Sequence, residues 1–116
     1  AESNGQTPAY VAAYEGQTAA LELLVKARCD VNQAGNDGGA PAHIAAQEGH
    51  TAALELLVIA GCDVNQTTKL GETPAFIAAY EGHTAALELL VKADCDVNQA
   101  DKDGSTPAFI AALKGQ

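Results

Sequence analysis

The octapeptide TAALELLV stands at residues 18–25, again at 51–58 and again at 84–91, each copy 33 residues beyond the last. The spacing extends outward from it. Cys29, Cys62 and Cys95 keep it, each followed by Asp-Val-Asn-Gln, and so do Pro8, Pro41, Pro74 and Pro107, and Gly5, Gly38, Gly71 and Gly104. A strict period without insertions signals one supersecondary unit stacked along an axis. Counted from residue 1, the units are 1–33, 34–66, 67–99 and a partial fourth, 100–116, together a single domain over 1–116.

Each unit reads alike. A polar, Gly-containing stretch such as ADKDGS (100–105) is a turn. Thr-Pro follows, the hydroxyl suited to cap a helix and the proline to its first position. In the third unit PAFIAAYE (74–81) predicts a helix of about two turns ended by Gly82. His83-Thr84 opens a second helix over 84–93, and Asp-Val-Asn leads to the next turn. Neither helix is long enough to be stable alone, since isolated helices under ~12–15 residues are marginal in water. The second is apolar nearly all round, with Glu88 and Lys92 as an i,i+4 pair on its one solvent strip, so neighbouring units must cover it.

Composition narrows the function. With Asp+Glu 15 against Lys+Arg 6, the net charge of −9 disfavours nucleic acid and anionic membranes as partners. No stretch approaches the roughly 18 apolar residues of a membrane span, and AESNGQTP lacks the basic start and apolar core of a signal peptide. Three cysteines without CxxC spacing fit a reducing, intracellular compartment, cytoplasmic or nuclear.

The pattern G-x-T-P-x-x-x-A-A-x-x-G-H, then L-x-L-L, then D-V-N, resembles the ankyrin repeat family over the whole chain. The resemblance implies an all-α solenoid of helix-turn-helix units joined by β-hairpin loops, with hairpin tips and first helices lining a concave face that contacts protein partners. It also implies structural Gly-His histidines that bridge neighbouring turns. Asn32, Asn65 and Asn98, each eight residues beyond a Leu, resemble the family's substrate motif for asparaginyl hydroxylation. The chain departs from the family in Tyr10, Phe76 and Phe109, which replace the usual His after Thr-Pro, and in Ala9, Ala42, Ala75 and Ala108, which replace the usual Leu.

Three copies of Cys-Asp-Val-Asn invite a metal or redox reading, and the period argues against it. Equivalent sites in stacked helical units lie about 10 Å apart, whereas a disulfide needs Cα atoms within ~7 Å. The cysteines read instead as small apolar residues, and the Asp and Asn side chains as local backbone acceptors. His43, His50 and His83 lack the spacing of zinc ligands. Glu15, Glu48 and Glu81 form a row too widely spaced for an acid–base pair. No catalytic, cofactor or metal site is expected, and the chain is not expected to be an enzyme.

Information therefore sits where near-identical units differ. The turns read ESNGQ, GNDGG, TKLGE and DKDGS, and the first helices end in Tyr14-Glu15, Gln47-Glu48, Tyr80-Glu81 and Leu113-Lys114. The candidate partner-binding residues are thus Ser3, Asn4, Gln6, Asn36, Asp37, Lys69, Leu70, Glu72, Lys102 and Asp103 at the turns, with those eight helix-end residues. Tyrosine joins apolar area to a polar tip and is frequent in binding hot spots. The expected function is a protein-interaction module; the alternative is a structural spacer or consensus-like array, natural or designed, excerpted from a longer one. Other differences predict local cost. Ala40 replaces a capping Thr, Arg28 and Asp94 stand where Gly61 marks a left-handed position, and Ile59 puts an apolar side chain on the solvent strip. The terminal units lack polar outer faces, which predicts end-to-end self-association.

Overall fold

The computed structural model describes residues 6–115. Within them the chain forms seven helices and no strand: α1 (Pro8–Glu15), α2 (Thr18–Lys26), α3 (Pro41–Glu48), α4 (Thr51–Ile59), α5 (Pro74–Glu81), α6 (Thr84–Lys92) and α7 (Pro107–Leu113). Each of the three full units supplies a first helix opened by proline and a second opened by threonine, and the partial fourth supplies a first helix, α7. Thr7, Thr73 and Thr106 accept the backbone N–H of Tyr10, Phe76 and Phe109 at 3.1 Å, capping α1, α5 and α7. In α3 the capping position is Ala40, and the balance is restored from the other side: the Ala40 N–H donates to Nδ1 of His43 at 3.0 Å.

Helix ends are equally regular. Gly16, Gly49 and Gly82 close the first helices at φ near 70–78°. The second helices end in paired backbone bonds, such as Cys62 N–H to Leu57 O and Gly61 N–H to Val58 O, both 3.0 Å. That geometry places the intervening residue in the left-handed region. Gly61 adopts it at φ 85°, and Arg28 and Asp94 adopt it at φ 64°.

Helices pack within a unit and against the next, first helix on first helix (α1 on α3, α3 on α5, α5 on α7) and second on second (α2 on α4, α4 on α6). Burial at equivalent sites shows which neighbour each side chain needs. Ile44, Ile77 and Ile110 are at most 9 % exposed, while Val11, with no described unit before it, is 42 % exposed. Phe76 is 6 % exposed beneath α7, and its counterpart Phe109 is 56 % exposed. Leu21 and Leu54 are fully buried, whereas Leu87, with no second helix stacked beyond α6, is half-buried. Stability here is a property of unit-to-unit contact. The expected solvent strip is present, but its charges do not pair: among the described residues no ion pair forms, and Glu88 and Lys92 both point into solvent.

The connections carry the stacking in backbone bonds. Each Asp of Asp-Val-Asn accepts the N–H two residues on, as Asp63 does from Asn65 at 3.0 Å. Two of the three following Asn residues reach across units: Asn32 Oδ1 accepts the Asp63 N–H, and Asn65 Oδ1 the Asp96 N–H, both at 2.7 Å. The Asp reading thus holds locally, while Asn is an inter-unit tie. The expected hairpins are turn-sized and contain no strand among the described residues, each closed by two backbone bonds such as Thr68 N–H to Glu72 O and Gly71 N–H to Thr68 O, both at 2.9 Å. Successive tips are joined by Lys69 N–H to Asp37 O and Lys102 N–H to Leu70 O, both at 3.0 Å. A Cβ on Gly38 would lie 2.8 Å from Lys69 N, so the tips can approach this closely only with glycine at that place.

Candidate partner-binding surface

Tip stacking sets one wall of a trough, and the first helices set its floor. Three cavities lie in the angle between them. The first, 180 Å³, is bordered by Gln6, Tyr10, Asn36 and Asp37. The second, 310 Å³, is bordered among others by Tyr10, Asp37, His43, Gln47, Leu70 and Glu72. The third, 140 Å³, takes in Gln47, Glu72, Phe76, Tyr80 and Glu81. Tyr10 and Asp37 are common to the first two, and Gln47, Glu72 and Ile77 to the last two, so the cavities form one run from α1 to α5.

The sequence-derived candidates fall as follows. Ser3 and Asn4 lie outside the described residues. Tyr14, Glu15, Asn36, Asp37, Gln47, Glu48, Lys69, Leu70, Tyr80, Glu81, Lys102, Asp103, Leu113 and Lys114 are exposed, and Gln6 and Glu72 are half-buried. Leu70, at 58 %, and Tyr80, at 54 %, are large apolar groups open to solvent at the trough. Tyr80 is held in place: its ring stacks on Phe76 with centroids 6.4 Å apart, and Lys114 Nζ sits 4.5 Å from its centroid. Tyr14, Glu15, Glu48, Lys102, Asp103 and Leu113 border none of the three cavities.

Sequence reasoning missed Tyr10, His43, Ile44 and Ile77 as trough-lining residues. Tyr10 and His43 occupy the same place in successive units, two residues beyond the helix-opening proline, where the units differ in chemistry, and that variation was a usable signal. His43 is 3 % exposed. Its Nδ1 accepts from Ala40, so Nε2 carries the proton and donates to Gln66 O at 2.9 Å and Glu72 O at 3.0 Å. One ring thereby ties α3 to both ends of the next tip. Burial holds its pKa below the ordinary histidine range, with the carbonyls of Glu72 and Gln66 and the charges of Asp37 and Asp63 opposing the shift. Burial also raises the Glu72 carboxyl, helped by the negative charge of Asp101. His83 bridges units as the resemblance implies, Nε2 lying 3.0 Å from Gln47 O.

The thiols are poorly suited to nucleophilic or redox work. Cys62 is buried and its pKa is pushed up to about 11 by burial and then by Asp63. Burial also raises Cys29 and Cys95, both half-buried, helped by Asp30 in the first and by Asp96 and Asp94 in the second. Each is therefore a neutral thiol near pH 7, and the reactive form is the thiolate. Among the described residues no three His, Cys, Asp or Glu side chains converge as metal ligands do.

A helical-repeat solenoid with stacked tips defines the class of protein. A family model described as ankyrin repeats (3 copies) matches residues 1–68 and 42–116, and the chain belongs to the ankyrin repeat family. A comparison with curated proteins finds no match. Ankyrin repeats are generally protein–protein interaction modules and generally not enzymes. No helix among the described residues is long and apolar enough to cross a membrane.

Proposed function

We propose that the chain is a non-enzymatic protein-binding module that offers its tips and first-helix ends to a protein partner. The observation that carries this reading is the placement of variation. The helical framework repeats almost unchanged, while the tips and the ends of the first helices differ between units and are largely exposed, with Leu70 and Tyr80 beside the trough among them. Idle turns favour small polar residues, and a half-exposed aromatic ring already fixed by two neighbours loses little entropy on binding. A net charge of −9 disfavours nucleic acid and anionic membranes as that partner. Affinity capture with the wild-type chain and with Tyr14→Ala/Tyr80→Ala tests it. A partner retained by the first and lost by the second is the expected result. Equal capture by both favours the spacer alternative.

A second reading rests on a separate surface. An apolar cavity of 740 Å³ lies between α1 and α2 and is lined chiefly by Pro8, Val11, Ala20, Leu23 and Leu24. Its counterparts in later units are covered by the preceding unit. Self-association through this face is the corresponding proposal, since covering exposed apolar side chains favours association.

A further inference from the structure

We propose that the trough between tips and first helices takes an extended peptide segment carrying basic side chains among apolar ones, with Glu72 as the carboxylate that receives a basic group. The inference rests on the protein-binding reading above and narrows it to one kind of partner. Three observations lead to it. The cavities, 180, 310 and 140 Å³, are at or below the small end of ligand pockets, so each suits single side chains rather than a docked helix. Their run from α1 to α5 crosses two unit-to-unit steps, about 20 Å, which is about six residues of extended chain.

The third observation is charge. Asp37, Glu72 and Glu81 border the run against Lys69, with Lys114 Nζ over the Tyr80 ring at its far end, and His43 is neutral because Nδ1 is an acceptor. Glu72 is half-buried, among the described residues no cation pairs with it, and the negative charge of Asp101 adds to burial in disfavouring its ionised form. A guanidinium or ammonium brought to Glu72 would relieve that repulsion. The apolar floor of Ile44 and Ile77, with Leu70 and Tyr80 at the edge, supplies contact for the intervening apolar residues.

Fluorescence anisotropy with a labelled octapeptide of alternating Arg and Leu, and with its Glu/Leu counterpart, tests the assignment. Saturable binding of the Arg/Leu peptide is expected, weaker by roughly three- to tenfold in Glu72→Gln, with little binding of the Glu/Leu peptide. Glu55→Gln removes the same charge from the exposed face of α4 and should leave affinity unchanged. Equal affinity for both peptides, or equal weakening by the two substitutions, overturns the proposal, the latter by reducing it to net charge. A captured partner that depends on Tyr14 and Tyr80 but is indifferent to Glu72→Gln also overturns it while leaving the protein-binding reading intact. Failure of the Arg/Leu peptide to bind overturns it as well.

Discussion

Arg28, Gly61 and Asp94 hold the same place in successive units, and the backbone is left-handed at all three. For a side chain with a Cβ that conformation costs roughly 1–2 kcal/mol; glycine avoids it but loses more entropy on folding. Arg28→Gly should therefore stabilise the chain by about 1 kcal/mol, a rise in Tm of roughly 4 °C, read from a thermal melt. Ala40 makes a second test. Its counterpart Thr73 fits in an equally buried site and caps α5. Ala40→Thr should gain about 1 kcal/mol in urea titration, since the new hydroxyl can accept the His43 N–H while His43 keeps the residue 40 N–H. His43 itself predicts an acid limit. Its folded pKa lies below the unfolded value, so the unfolded chain binds the proton first. The contribution is complete above about pH 6.5 and is lost as pH falls from there toward the lower folded pKa. Urea midpoints from pH 7.5 to 5 should drop more in wild type than in His43→Phe, whose ring is tolerated at the same place in α5 as Phe76.

At the scale of elements, the same residue type has different worth according to the helix stacked on it. Phe76 is covered by α7 and Phe109 is open. Phe76→Ala should cost about 3–4 kcal/mol and Phe109→Ala less than about 1 kcal/mol, compared by denaturant titration. Equal costs would contradict the nearest-neighbour packing. The backbone ties between units make a related point. Asn32 accepts the Asp63 N–H and its own carbonyl takes the Gln66 amide at 2.8 Å. Asn32→Ala should therefore cost more than Asn98→Ala, because the structure shows no such tie from Asn98 to a further unit.

For the whole molecule, stacking without closure leaves two kinds of apolar surface, the α1/α2 face and the exposed Phe109, Leu113 and Val91 at the other side. Light scattering across a concentration series should show mass rising with concentration in wild type and less so in Leu23→Glu. A constant monomer mass would remove the self-association reading.

Much of this architecture was legible in the residues. Thr-Pro, the helix-ending glycines and the apolar blocks act within a few residues of themselves, so their period read out helix boundaries and order. It also located Arg28 and Asp94 in the left-handed region, because Gly61 marks the place. The trough was only half legible. Leu70 and Tyr80 announced themselves by differing between units, but Tyr10, His43 and Ile77 line the same space from helix faces whose direction depends on the neighbouring unit.

By itself the sequence determined that this protein is built from equal two-helix units in register, since capping, helix ending and periodicity are local properties. Tertiary structure alone decided which equivalent side chain is buried or bare. It also decided that Asn32 and Asn65 reach across units and that His43 fastens the next tip. These outcomes depend on distances between residues far apart in the chain, and a repeat pattern states what recurs without stating what lies beside it.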